Sequence, residues 1–262
     1  MTQRMPAIFI AHGAPSLAIE HDEYTEELRR FGESLKNARG VVIASAHWQA
    51  RPPVRVNVVE RPQMIYDFGG FDEALYRIQY RAHGSAGIAK EVIDALRSNG
   101  IPVEPEASRG WDHGVWVPLL HLLPDANLPV VEVSLPFGAS PDQLMAIGRA
   151  LAPLRDRGIA IIGSGGIVHN LREVDLGDKN APPAGWAEAF DSWVATRVEH
   201  RDLRGLAAYR ATAPNAARAV PTDEHFAPLF VILSATEEGD RLETIHEGFQ
   251  YGTLSVRSLA FV

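Results

Sequence analysis

Four histidines stand where a strand or helix would deliver a side chain into one shared cleft. They are His12 in Ala11-His12-Gly13-Ala14-Pro15, His47 in Ser45-Ala46-His47-Trp48, His169 closing Gly163-Ser164-Gly165-Gly166-Ile167-Val168-His169, and His225 in Pro221-Thr222-Asp223-Glu224-His225. Imidazole is a ligand for zinc, iron, copper and nickel. With no cysteine in the chain, any transition-metal site has to be built from His with Asp or Glu. Taken singly, a histidine after a strand is more often a cap or a loop hydrogen-bonder. Taken together, His12, His47 and His169 each follow a buried-type strand at its carboxyl end, the edge where open α/β sheets bind ligands. His225 differs. The sequence sets it in the first turn of a helix capped by Thr222, with Asp223 and Glu224 complementing the positive end of the dipole, where a plain surface histidine is an equal reading.

The other histidines carry weaker signals. His113, in Gly110-Trp111-Asp112-His113-Gly114, is expected on a loop crowded with aromatics, where Asp112 or a neighbouring carbonyl could orient its ring. His121, flanked by leucines, reads as a satisfied helix residue rather than a ligand. His21, His83, His200 and His246 have no partner that the sequence names.

The elements that must position these residues follow from hydrophobic periodicity. The runs Ala7-Ile8-Phe9-Ile10-Ala11 and Val41-Val42-Ile43-Ala44-Ser45 are bounded by turn residues and nearly continuously apolar, as strands buried on both faces of a parallel sheet are. A polar helix over about 22–36 lies between them. Further strands are predicted at 54–59, 129–135, 159–163, 243–247 and 253–262. Helices are predicted at 85–99, 141–157 (capped by Ser140 and ended by Gly158), 186–199 and 222–235. Residues 176–185, rich in Gly, Asp and Pro, are the expected mobile segment. The alternation predicts an α/β fold: a single domain over residues 1–262, with a mostly parallel central sheet flanked by helices and a metal site at the carboxyl ends of the strands.

Two tempting motifs fail. Gly163-Ser164-Gly165-Gly166 follows a strand, but the dinucleotide fingerprint needs glycine where Val168 stands, and no Gly-Lys-Ser/Thr follows for a phosphate loop. The nucleophile elbow of α/β-hydrolases needs glycine where Ile162 stands. These glycines better serve a tight turn that brings His169 against a ligand.

Composition narrows the partners. A chain of 262 residues that is 46% hydrophobic and 22% charged is long enough for one large core. Its net charge of -8 argues against nucleic acid or an anionic membrane surface, both of which select a basic face. No apolar run nears the roughly 18 residues of a spanning helix, and without cysteine the cytoplasm is the expected compartment. Small molecules are the expected ligands. A homodimer is compatible with the sequence only as the commonest soluble assembly.

Six ordered blocks then carry a resemblance: His12-Gly13-Ala14-Pro15; Ser45-Ala46-His47-Trp48; Tyr66-Asp67-Phe68-Gly69-Gly70-Phe71 with Leu75-Tyr76 and Tyr80; Arg109-Gly110-Trp111-Asp112-His113-Gly114; Gly163-Ser164-Gly165 with His169-Asn170-Leu171; and Pro221-Thr222 with His225-Phe226 and Pro228-Leu229. Over nearly its whole length the chain resembles the class III, LigB-like extradiol ring-cleavage dioxygenases, in particular the 4,5-DOPA dioxygenase extradiol branch. The resemblance implies that His12, His47 and His225 ligate one divalent metal, Fe(II) for activity. It implies that His169 is the acid/base beside it, or a fourth ligand, and that His113 is a second active-site histidine contacting substrate or O2. Tyr251 is a further candidate for steering substrate and oxygen.

Such chemistry needs a three-ligand face that leaves room for both oxygens of a catechol and for O2. It also needs a base such as His169, with a pKa near neutrality, to take the catechol proton. The product would be a semialdehyde. Non-haem Fe(II) oxygenases usually offer two His and a carboxylate, whereas the third ligand here is read as His225, a set that also fits zinc. Glu224 is adjacent, but on a helix neighbours point about 100° apart, so both would not face one ion. A zinc hydrolase on the same scaffold, or a non-enzymatic binding relative, are the alternatives. Arg51, Arg109 and Lys179 are equal candidates to meet a substrate carboxylate.

Overall fold

The computed structural model describes residues 4–262. In chain order its first elements are β1 (Ala7–Ala11), α1 (Glu23–Gly32), β2 (Gly40–Ser45), β3 (Gln49–Ala50), β4 (Val54–Asn57), α2 (Ala86–Ser98), β5 (Val103–Glu106), α3 (His113–Leu122), β6 (Val130–Glu132), β7 (Leu135–Pro136), α4 (Pro141–Leu151) and β8 (Ile159–Gly165). The second half adds α5 (Gly185–Glu199), the short helices α6 (Leu203–Ala207), α7 (Tyr209–Thr212) and α8 (Ala216–Ala219), then α9 (Ala227–Ser234), β9 (Leu242–His246), β10 (Phe249–Gln250), β11 (Leu254–Ser255) and β12 (Ser258–Phe261). Six strands form the central sheet in the order β6-β2-β8-β1-β12-β9. The first four run parallel, and β12 and β9 extend the sheet through antiparallel pairings.

Alternate strand residues point to opposite faces, and both faces are covered. Phe9, Val42 and Ile161 pack with α2, α4, α5 and α9, while Ile8, Ile10, Ile43 and Ile162 pack with α1 and α3. This double burial is why β1 and β2 read as unbroken apolar runs. Local signals start the helices. Asp22 and Thr25 form a reciprocal cap on α1, Ser140 and Gln143 do the same for α4, and Ser85 accepts the Ile88 N–H of α2. Among the described residues no helix is long and apolar enough to cross a membrane.

The structure corrects several boundaries. The strand expected at 54–59 is β4, which pairs with β5 in a separate two-stranded sheet. The expected 22–36 and 141–157 helices each tighten into a 3-10 turn, at Glu33–Leu35 and Ala152–Arg157. The last expected strand splits into β11 and β12. The largest correction falls on 222–235: residues 222–225 form a bend and turn, and α9 begins only at Ala227 with Pro228 in its first turn. Thr222 does not cap it; its hydroxyl donates to Glu224 at 2.7 Å. Proline lacks the N–H that a helix interior uses, so Pro228 fixes where α9 can start. His113, expected on a loop, is the first residue of α3. The segment 176–185 is tied to the 251–252 turn by Tyr251 N–H to Lys179 O and Ala184 N–H to Gly252 O, each 2.8 Å.

Candidate metal centre

β2, β8 and β1 are neighbours in the sheet, so the segments leaving their carboxyl ends converge. His12 comes directly after β1, and its N–H donates to the carbonyl of Gly165, the last residue of β8, at 3.2 Å. His47 lies in the turn after β2, its N–H donating to Ser45 Oγ at 3.2 Å. His169 lies beyond β8 and is held by its N–H to Ala219 O, 3.0 Å. The turn carrying His225 rests on the end of β8 through Gly166 N–H to His225 O, 2.8 Å. A Cβ on Gly165 would sit 2.2 Å from that same oxygen, so only glycine lets this turn approach the sheet.

The structure brings all five site histidines together. Ring centres are 4.9 Å apart for His12 and His47, 5.1 Å for His12 and His225, and 5.0 Å for His47 and His225. His113 lies 4.0 Å from His47 and 5.4 Å from His12. His169 stacks on His225 at 3.5 Å with an 8° interplanar angle. Nitrogens of His12, His47 and His113 form one group of donor atoms within 4.8 Å of one another; His169, Glu224 and His225 form a second. The trio His12, His47 and His225 draws on both.

Hydrogen bonding orients the lone pairs. The Ser164 hydroxyl donates to the Gly114 carbonyl, so it accepts from His12 Nδ1–H, 3.0 Å away, and leaves His12 Nε2 as the acceptor atom. His47 Nδ1 lies 3.3 Å from Asp67 Oδ2, and His225 Nδ1 lies 3.2 Å from Glu224 Oε1. Carboxylates only accept, so His225 keeps its free lone pair on Nε2, and the Asp67 carboxylate beside His47 Nδ1 favours the same tautomer there. His12 Nε2 and His47 Nε2 face each other at 3.2 Å, and His225 Nε2 is buried without a hydrogen-bond partner. Two nitrogens each about 2.1 Å from one ion lie about 3.0 to 3.4 Å apart, and the ring centres of three such imidazoles lie about 5 Å apart. The residues therefore fit a divalent cation. A ligating histidine with its second N–H tied to a carboxylate or hydroxyl is the usual arrangement in metal sites.

Electrostatics point the same way. Burial, then the neighbouring His47 and His225, push His12 well below the ordinary histidine range. Burial and His113 lower His47 to about 3, and burial with His225 lowers His169 to about 2. Burial lowers His225 despite Glu224. All four are neutral near pH 7, the state that binds metal. The near-neutral pKa expected of His169 is corrected, because the side chain is desolvated and stacked on another imidazole. Burial pulls Asp67 up, but the hydrogen bonds and charge of His113, with His47 adding, together bring it down to about 2; Glu224, bonded to His225, is also lowered to about 2.

Behind His47 lies a buried polar network that the sequence did not reveal. Ser45 Oγ donates to Asp112 Oδ1 at 2.7 Å, and Arg109 donates to Asp112 Oδ2 at 2.6 Å and to His47 O at 3.2 Å. The guanidinium also lies 4.8 Å from the centre of the Trp48 ring and 3.5 Å from Glu132. Burial, with Asp112 adding to it, raises Glu132 well above the carboxylate range. Arg109 is thus occupied inside the protein, and Lys179 is paired with Glu20 and Asp22. Neither is free to meet a substrate carboxylate; Arg51 is exposed. His121 is satisfied in α3 by Leu17 O at 2.7 Å, as expected. Tyr251 turns its hydroxyl to Ser16 Oγ at 3.4 Å, on the turn after His12. Because 222–225 is a turn rather than a helix, Glu224 folds back onto His225 Nδ1, on the side of the ring away from Nε2.

A mostly parallel sheet whose carboxyl edge gathers five histidines is an α/β arrangement whose side chains could hold a metal ion. The family described as "Catalytic LigB subunit of aromatic ring-opening dioxygenase" matches residues 6–262, and the chain belongs to that family. It is an oxidoreductase of the extradiol ring-cleaving type. Over 257 residues it is 37% identical to the 4,5-DOPA dioxygenase extradiol of Beta vulgaris, covering 97% of this chain and 95% of that protein. Over 264 residues it is 35% identical to the protein of the same name from Escherichia coli K12, covering 98% and 94%. A crystal structure of an uncharacterized protein from Escherichia coli K12 superimposes with a TM-score of 0.81 at 30% identity, covering 99% of this chain and all of that one.

Proposed function

We propose that residues 1–262 form one catalytic domain that opens the ring of a catechol, DOPA-like or caffeate-like, with O2 to give a semialdehyde. One divalent metal would be held by Nε2 of His12, His47 and His225. The observation that carries this reading is the orientation of those three rings, each with Nδ1 beside an oxygen acceptor and Nε2 turned toward the shared centre. Bound Fe(II) would supply the electron that lets O2 react with the diol, which redox-inert zinc cannot.

The remaining residues divide the work. Tyr66 and Phe68, backed by the fully buried Trp116, form an aromatic wall in which Phe68 meets His113 edge-on at 5.7 Å and which offers faces to a catechol ring. Neutral His169 accepts a catechol proton, and an anionic diol oxygen beside it would raise its pKa and help it hold that proton. His113, with Nδ1–H donated to Asp67 at 2.9 Å, presents Nε2 to substrate or O2, and Asp67 stabilises it if it becomes charged. For Tyr251 only the Ser16 contact places its hydroxyl near the His12 turn. The cytoplasm is the proposed compartment, as the cysteine-free composition suggests.

Oxygen uptake tests this. Protein loaded anaerobically with Fe(II) is expected to consume O2 and a catechol in equal amounts and to form a yellow semialdehyde, while zinc-loaded protein does neither. A broad catechol panel left intact by iron-loaded protein removes the proposal. Ester or amide cleavage by the zinc form, abolished in His169→Ala, would establish the hydrolase instead.

A further inference from the structure

Asp67, in the Tyr66–Phe71 block, lies against two histidines at once. Its Oδ1 accepts the backbone N–H of His113 at 3.0 Å and lies 2.9 Å from His113 Nδ1. Its Oδ2 lies 3.3 Å from His47 Nδ1. The two rings are 4.0 Å apart, so a single carboxylate spans them from behind. It arrives on the Tyr66–Phe71 stretch, anchored upstream by Ile65 N–H to Trp111 O at 2.7 Å. Downstream, Gly69 and Gly70 have nothing within 4 Å of where a Cβ would be.

We propose that Asp67 is the positioning residue that sets the tautomers of both His47 and His113. By accepting from Nδ1–H of each, it turns both Nε2 lone pairs to the centre and ties metal affinity to the seating of the aromatic segment that carries it. The argument is one of donor inventory. A carboxylate has acceptors on both oxygens and suits two N–H donors, whereas an amide has one acceptor oxygen and one donor nitrogen. In Asp67→Asn, isosteric with the native residue, the oxygen can still serve His113, which offers it two N–H groups. The NH2 then faces His47 Nδ1, and relief comes only if His47 moves its proton to Nε2, removing a lone pair from the metal face. The role proposed for Asp67 rests on the metal reading above only through its affinity arm; the tautomer arm stands without it.

The test uses the full-length protein in two forms. In the metal-free protein, long-range ¹H–¹⁵N correlation of labelled histidines should show Nδ1–H tautomers for His47 and His113 in the wild type, and Nε2–H at His47 in Asp67→Asn. Zn(II) affinity, measured by chelator competition, should weaken about 10- to 100-fold in Asp67→Asn, the usual effect of losing an outer-shell partner. Thermal unfolding of the metal-free variant should stay close to wild type, which separates positioning from loss of fold. Asp67→Glu, keeping both acceptors on a longer stem, should recover part of the affinity. Unchanged His47 tautomer with affinity within threefold of wild type overturns the proposal. If wild type binds no divalent ion, the metal reading fails, and an unshifted His47 tautomer in Asp67→Asn still decides against Asp67 on its own.

Discussion

Replacing Gly165 by alanine should damage the site from beneath without touching a histidine. The added Cβ would lie 2.2 Å from His225 O and 3.1 Å from Pro228 Cγ, where a real Cβ essentially never comes nearer than 3.0 Å. Neither neighbour can yield cheaply: one is backbone, and the other is the proline that starts α9. The His225 turn must therefore withdraw by at least about 0.8 Å, on the scale at which about 1 Å of misplacement lowers turnover by about 10²-fold. Overpacking of this kind costs about 1–3 kcal/mol. The Gly166 N–H to His225 O bond, 2.8 Å in the native chain, stretches or breaks for about 1 kcal/mol more. Urea unfolding should thus show a loss of about 2–4 kcal/mol, together with weaker Zn(II) binding and a turnover number reduced by about two orders of magnitude. Gly185→Ala is the control, since nothing lies within 4 Å of its Cβ position, and it should change stability by no more than about 0.5 kcal/mol. Wild-type stability and metal affinity in Gly165→Ala would refute the idea that this glycine seats His225.

Three further outcomes rest on the same geometry. His169→Ala should keep its metal but lose about 10²- to 10⁴-fold in ring-cleavage rate, whereas His12→Ala should lose metal outright; equal metal loss in both, by elemental analysis, would make His169 a ligand. The metal-free protein should weaken as pH falls below 6.5, because His47, lowered to about 3, stays neutral in the fold while its unfolded counterpart takes up a proton. Stability is fully present above pH 6.5 and is lost progressively toward pH 3, by about 2 kcal/mol at pH 5 for this one group, and equal urea midpoints at pH 7.5 and 5 would contradict it. Arg155→Ala should cost about 3–5 kcal/mol, since this fully buried guanidinium pairs with Asp240 and donates to Met5 O, Ala235 O and Phe261 O; a loss under 1 kcal/mol on calorimetry would show those contacts to be dispensable.

The sheet is legible because its strands are buried on both faces, a condition written in composition alone. The same pattern makes His12, His47 and His169 legible, since each lies within four residues of a strand's carboxyl end. His225 is reached by resemblance, and composition misleads about its local structure. Thr222-Asp223-Glu224 has the composition of a helix start, yet Asp223 accepts the Tyr209 hydroxyl at 2.5 Å, and Thr222 turns to Glu224. Pro228, three residues after His225, is the contrary signal. Asp67 lies 46 residues before His113 in the chain, and Ser164 lies 152 after His12. Pairings at that separation leave no periodic trace, so the groups that orient the rings stay hidden in a sequence where the rings themselves stand out.

The absence of a carboxylate from the proposed ligand trio looks at first like a missing charge. The carboxylates are present one bond further out: Asp67 behind His47 and Glu224 behind His225, both ionised. A negative group hydrogen-bonded to Nδ1–H raises the donor strength of Nε2, so part of the charge that a directly bound carboxylate would bring reaches the ion through the imidazoles. Placed there, the carboxylates do not occupy coordination positions needed by a chelating diol and O2. They also leave the metal-facing surface lined by neutral rings, the least costly lining for a buried site that has to bind and release its cation.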